Sequence, residues 1–149
     1  MKRTFGNLFE RLLGGGTTLT EVEFQLLQHL VGALPLQLRS VVDAQFSAYN
    51  LVQRESDGRA LNFYRKKAGR ANNMDGLPLL QMSVDEAPLI RLTATLAGDA
   101  EPLHATLNAV GGRVFCMALS RAVRAEGAVT VSDFKQAWRS NFRYETAAA

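Results

Sequence analysis

The sequence is poor in the residues that most often carry catalysis or bind metals. It has one cysteine, Cys116, and two histidines, His29 and His104, in 149 residues. A structural zinc site needs four Cys or His ligands and a catalytic one needs three protein ligands at close spacing, so these scattered residues supply neither. A single cysteine cannot form an internal disulfide, so we expect a reducing compartment, the cytoplasm. We expect no metal and no cofactor.

Long apolar runs are also missing. No stretch approaches the ~20 apolar residues that span a bilayer. Near the N-terminus, Glu10 and Arg11 stand where a signal peptide needs an unbroken apolar segment. We therefore expect no membrane insertion and no secretion by that route. Hydrophobic residues make up 47% of the chain and charged residues 21%, which is enough for a packed core in a single domain, 1–149.

Motifs for nucleophilic or phosphate chemistry are absent as well. No serine lies in a nucleophile elbow, and Cys116 lies in the apolar run 114–119, which predicts a buried thiol of low reactivity. Residues 14–16 are three glycines before a capped helix, but no strand precedes them and no Gly-Lys-Ser/Thr follows, so we interpret them as a linker. We predict that the protein is not an enzyme and has no small-molecule ligand.

The apolar pattern predicts helices first. Residues 1–16 give a short amphipathic helix followed by the glycine joint. Residues 17–49 give two further helices, the first beginning at a capping box of Thr20 and Glu23 and the second after Pro35. A last helix is predicted over 130–143, with Trp138 on its apolar face.

Residues 50–120 change to the alternation typical of strands. Ile90, Leu92 and Ala94 alternate with polar residues, and short turns separate the runs. Such short connections pair strands antiparallel, because a parallel crossover needs a dozen or more residues. We predict an α+β fold in which N-terminal helices precede an antiparallel meander of about five or six strands, with the C-terminal helix packed on one face.

Charge is sorted along the chain. Residues 54–70 contain six basic and two acidic residues, whereas residues 71–101 contain one basic and five acidic residues. Two acidic pairs flank one predicted strand and lie about 25 Å apart at ~3.3 Å per residue, too far for a paired-carboxylate active site. We predict instead that these acids and the nearby basic residues contact a protein partner. The predicted contact residues are Arg59, Arg65, Lys66, Lys67, Asp85, Glu86, Asp99 and Glu101.

The basic residues allow a second hypothesis. Arg65, Lys66, Lys67 and Arg70 can neutralise phosphates, and Tyr64 beside them can stack on bases, as in a small nucleic-acid-binding module. Such clusters are common on solvated surfaces, and a net charge of +3 is modest. We therefore keep this as the alternative and do not expect nucleic acid to be the main partner.

Several segments between residues 35 and 138 resemble small immunity proteins of bacterial contact-dependent growth inhibition and related polymorphic-toxin systems. They are Asp43-Ala44-Gln45-Phe46, Leu51-Val52-Gln53-Arg54, the hairpin from Asp57-Gly58-Arg59 into Leu61-Asn62-Phe63-Tyr64, Gly112-Arg113-Val114-Phe115, and a closing helix that contains Trp138. The resemblance implies a cytoplasmic protein that binds a cognate toxin domain, commonly a nuclease, and blocks its active site or substrate-binding surface. One departure is the net charge, since inhibitors of cationic nucleases are often acidic whereas this chain is +3.

Overall fold

Helices and strands follow one another in an α+β arrangement. The computed structural model describes residues 19–70 and 72–144. The elements, in chain order, are α1 (Glu21–Gly32), α2 (Leu36–Ala48), β1 (Leu51–Arg54), β2 (Ala60–Tyr64), β3 (Gln81–Met82), β4 (Glu86–Leu96), β5 (Leu103–Val110), β6 (Arg113–Leu119), β7 (Val129–Lys135), α3 (Trp138–Asn141) and β8 (Phe142–Arg143). The predicted fold class is confirmed. The helix and glycine joint predicted over 1–16 lie outside the described residues.

The two long helices begin where their caps predict. Thr20 Oγ1 accepts a hydrogen bond from the Glu23 backbone N–H at 3.2 Å, and Glu23 Oε1 accepts one from the Thr20 N–H at 2.8 Å. This capping box satisfies two of the amide groups that a helix start leaves unpaired. Pro35 is the N-cap of α2. One face of each helix is buried against the sheet, through Val22, Leu26, Leu27, Leu30 and Val31 of α1 and Leu38, Val42 and Phe46 of α2.

The main sheet has six antiparallel strands in the order β1-β2-β6-β5-β4-β7. The strands β4, β5 and β6 form a meander, but β2 pairs with β6, so that Leu61 lies beside Met117. The strand β7 returns to pair with the other side of β4. A separate two-stranded sheet joins β3 to β8. The predicted number of strands is thus present, but β7, which lies outside the predicted range 50–120, supplies one of the six, and two connections leave the meander order.

The C-terminal region corrects part of the sequence interpretation. A short helix is present, but residues 130–135, the first part of the helix predicted over 130–143, lie in the strand β7. Val129 and Val131 alternate with exposed polar residues, and β-branched side chains favour strands. The edge of β4 that β5 leaves free also offers backbone N–H and C=O groups for strand pairing. The local sequence pattern of residues 129–135 does not reveal this edge. Trp138 and Phe142 remain in the core, as predicted.

Within the described residues, the two long helices cover one face of the sheet and leave the other open. Leu61, Leu107 and Met117 are fully buried on that face. On the opposite face, Gln53, Arg91 and Thr95 are exposed. Across the described ranges we find no helix with the length and apolarity needed to cross a membrane.

Candidate functional site

The predicted contact residues lie at the two ends of the main sheet. At one end, β2 finishes, β6 begins and β4 begins; we call this the charged end and define its charges as Lys66, Lys67, Arg70, Asp85 and Glu86. At the other end lie Arg59, Asp99 and Glu101, which we call the paired end. The two ends differ in what their charges contact.

At the paired end, Asp99 is neutralised within the protein. Its carboxylate forms ion pairs with Arg121, at 3.2 Å between Nη2 and Oδ2, and with Arg124. Arg121 also donates a hydrogen bond to the Glu101 carbonyl oxygen at 3.1 Å. The Asp99 side chain is only 17% exposed. Asp99 therefore holds the loop after β6 and offers little charge to a partner.

Arg59 has a similar internal role. Its guanidinium donates to the Ser120 carbonyl oxygen at 3.0 Å, and its backbone N–H donates to Asp57 Oδ1 at 2.9 Å. These bonds close the β1–β2 turn and attach it to the end of β6. Arg59 is thus occupied in positioning the turn, although it is exposed.

At the charged end, a tight turn between Lys67 and Arg70 carries basic side chains. We call Lys66, Lys67 and Arg70 the cationic turn. Lys67 and Arg70 exchange two backbone hydrogen bonds, each 3.1 Å long. Between them, Ala68 and Gly69 have φ angles of 54° and 76°. Two positive φ angles are typical of a type I′ turn, which Gly and Asn favour over Ala.

Two features of the cationic turn raise the free energy of the folded chain. Like charges directly opposite each other across a strand pair destabilise it, and Lys67 faces Arg70 in this way. Ala68 in the left-handed region adds a cost of about 1 kcal/mol. Lys66, Lys67 and Arg70 form no ion pair within the part of the chain that the structure describes. Their charge is available to a partner.

Arg65, predicted to contact the partner, has an internal role as well. Its Nη1 donates to the Asp75 carbonyl oxygen at 2.8 Å and to the Asn73 carbonyl oxygen at 3.4 Å. The side chain is half-buried. Arg65 therefore anchors the loop that follows the cationic turn.

The acidic side of the charged end is the acidic pair, Asp85 and Glu86. Both side chains are exposed at the start of β4. The Asp85 carbonyl oxygen accepts a hydrogen bond from the Gly111 N–H at 2.9 Å, which fixes the pair beside the β5–β6 turn. Three strand spacings of ~4.8 Å separate β2 from β4, so the cationic turn and the acidic pair are about 14 Å apart across the sheet.

Two apolar side chains in the segment before β4 are exposed. Leu79 is 49% exposed and Val84 is 44% exposed. Leu79 packs over Gly112 in the β5–β6 turn, since a Cβ added to Gly112 would lie 2.9 Å from Leu79 Cβ. We call Leu79 the apolar centre, because it lies at the β5–β6 turn, whereas Val84 directly precedes the acidic pair. Beside Leu79 is a groove of about 410 Å³ between α2 and the 79–81 segment, lined by Leu38, Val41, Leu79, Leu80, Arg143 and Tyr144.

Gln45 positions this end, and sequence reasoning missed its role. The residue is fully buried in α2. Its Nε2 donates to the carbonyl oxygens of Pro78 at 3.0 Å and Gly112 at 2.9 Å, and its Oε1 accepts from the Val114 N–H at 2.9 Å. The only signal in the sequence was an amide at a position on the apolar face of the helix.

The histidines and the cysteine lie apart from one another. His29 is exposed on α1, and His104 Nδ1 lies 3.0 Å from Thr93 Oγ1. Cys116 is 7% exposed, and burial, aided by the charges of nearby acids, raises its pKa to about 11. Within the described ranges, we find no group of three or more His, Cys, Asp or Glu residues that could hold a metal ion.

Comparison of the chain with protein-family models, with curated proteins and with solved structures finds no significant match. The site must therefore be interpreted from its own geometry. That geometry is a surface with an apolar centre and charges of opposite sign on its two sides, which is suited to non-covalent recognition of another macromolecule.

Proposed function

We propose that this chain is an immunity protein that binds a cognate bacterial toxin domain, a nuclease, and blocks its active site or substrate-binding surface in the cytoplasm. The observation that carries the proposal is the difference between the two ends of the sheet. Asp99 is paired internally with arginines, whereas the cationic turn and the acidic pair have no such partners within the described residues.

Opposite charges held apart on one surface favour a protein partner. A folded protein can present acids to the cationic turn and bases to the acidic pair at the same time. Such complementarity increases the association rate and disfavours wrong partners. An inhibitor of this kind acts by covering a surface and needs no catalytic residue, which agrees with the resemblance of residues 35–138 to immunity proteins.

The test begins with the toxin domain encoded in the neighbouring reading frame. Co-expression with this chain should restore growth, and the two purified proteins should form a complex. Asp85→Lys with Glu86→Lys should slow association about tenfold at low salt, because the pair no longer attracts a basic patch. Glu126→Lys is the control, since it reverses an exposed charge outside the predicted contact residues. Unchanged growth arrest and no complex would refute the proposal.

A second candidate function is binding of nucleic acid through the cationic turn. It is favoured by the unpaired charges of Lys66, Lys67 and Arg70 in the described chain. Binding of a labelled 20-nucleotide strand, measured by fluorescence anisotropy, should weaken steeply with salt if this function is correct. No binding at about 50 mM salt would exclude it.

A further inference from the structure

The charged end has an order across the sheet that suits one particular partner. The cationic turn lies on the β2 side, the apolar centre packs at the β5–β6 turn, and the acidic pair lies at the start of β4. Positive, apolar and negative groups therefore follow one another along a line about 14 Å long, taking three strand spacings of ~4.8 Å.

Such a line is complementary to itself. If a two-fold axis passes through the apolar centre, the cationic turn of one copy faces the acidic pair of the other, and the reverse contact forms at the same time. We propose that a second copy of this chain binds at the charged end and forms a two-fold symmetric dimer. The Leu79 side chains of the two copies then meet at the axis.

The spacing of the charges favours a second copy over other occupants. A nucleic-acid strand that crosses from the cationic turn would meet Asp85 and Glu86 and be repelled. A membrane surface of anionic lipid would meet the same acids. A second copy brings both signs at the spacing that this surface requires, because the two surfaces are identical.

The apolar residues support the same partner. Four large hydrophobic residues are exposed in the described chain, and one of them, Leu79, packs at the β5–β6 turn, between the β2 side and the β4 side of this end. Stable interfaces commonly combine an apolar centre with a polar, charged rim. The like-charge contact between Lys67 and Arg70 is also relieved when acids from a second copy approach it.

The dimer does not depend on the proposed toxin binding. If both occur, the toxin domain and the second copy compete for the charged end, and the toxin binds the monomer. Dimerisation then weakens the apparent affinity for the toxin, in proportion to the fraction of chains that remain monomeric.

The experiment uses the full chain and two charge-reversed variants. The first variant carries Lys67→Glu and Arg70→Glu, and the second carries Asp85→Lys and Glu86→Lys. Each variant alone should be monomeric in sedimentation equilibrium, because both contacts become repulsive. An equimolar mixture should form a heterodimer, since one contact is native and the other is restored with its signs exchanged. Glu126→Lys should dimerise like the unchanged chain.

A second measurement does not need a variant. The dissociation constant of the unchanged dimer should rise about tenfold between low and high salt, because its rim charges are exposed and screened. Circular dichroism confirms that each variant is folded. A chain that stays monomeric up to about 1 mM, or a dimer that both variants retain, or variants that do not associate on mixing, would overturn the dimer. Toxin binding is measured separately, so either proposal can fail while the other stands.

Discussion

Glu23 and Arg54 join the first helix to the first strand through a two-pronged ion pair. Arg54 Nε donates to Glu23 Oε2 at 2.8 Å, and Arg54 Nη2 pairs with Glu23 Oε1. The Glu23 side chain is 3% exposed and that of Arg54 is 30% exposed. The hydrogen bond with Glu23 raises the pKa of the Arg54 guanidinium above its ordinary value. Arg54 is therefore part of the packing and contributes little to the basic surface.

Glu23→Ala should lower the free energy of unfolding by about 2 kcal/mol, because it removes the capping box and leaves Arg54 without this carboxylate. Urea denaturation measures the change. Glu21→Ala is the matched control, since Glu21 is exposed in the same helical turn, and it should cost no more than about 0.5 kcal/mol. Equal losses in the two variants would contradict the structural role of the pair.

Adjacent glycines in the β5–β6 turn should respond differently to alanine. Both have positive φ angles, 57° for Gly111 and 88° for Gly112. A Cβ on Gly111 meets nothing within 4 Å, whereas one on Gly112 would lie 2.8 Å from the Leu80 carbonyl oxygen. Gly111→Ala should cost about 1 kcal/mol of backbone strain, and Gly112→Ala about 3 kcal/mol because overpacking is added. Comparing the thermal unfolding of the two variants separates the cost of the clash from the cost of backbone strain. Similar losses in the two variants would argue against the packing of the 78–80 segment over Gly112.

The thiol of Cys116 should react slowly in the folded protein. Burial raises its pKa from 9.0 to about 11, so little thiolate is present at pH 8. Modification by a disulfide reagent, followed by absorbance, should accelerate at least about tenfold when urea unfolds the chain. A rapid reaction of the native protein would show that the sheet face opposite the helices is more open at Cys116 than its 7% exposure indicates.

Tyr49 should make stability depend on pH in the alkaline range. Its hydroxyl donates to the Val114 carbonyl oxygen at 2.5 Å, and burial raises its pKa from 10.0 to about 12. A raised pKa in the folded state means that the contribution to stability is complete below pH 10 and is lost as pH rises toward 12. The stability difference between the unchanged chain and Tyr49→Phe should therefore be constant below pH 10 and shrink above it. A difference that grows with pH would contradict this assignment.

Local signals in the sequence predicted much of the fold. The capping box at Thr20, the stop at Pro35 and the alternation through Leu92 each depend on neighbouring residues, and all three are confirmed. The wrong helix prediction at residues 130–135 has a long-range cause. Their spacing suits both a helix and a strand, and pairing with β4, more than thirty residues earlier in the chain, decides between them.

The site was predictable in its charges but not in their pairing. Sorted charge and turn signals led to the prediction that Lys67 and Asp85 contact a partner, and both side chains are exposed. The ion pair of Asp99 with Arg124 joins residues 25 positions apart, and no local pattern indicates it. Gln45 contacts Gly112 across 67 positions for the same reason. A sequence shows which side chains are charged, whereas the tertiary structure determines which of them remain unpaired.

The strand order has a consequence for synthesis of the chain. The ribosome makes the cationic turn early and the acidic pair soon after, but β2 is attached to the rest of the sheet only through β6, which ends at Leu119. A growing chain that ends before β6 contains the cationic turn and the acidic pair, but it lacks the strand β6 that fixes the distance between them. The spacing between these two charged groups is therefore set only after β6 has been made.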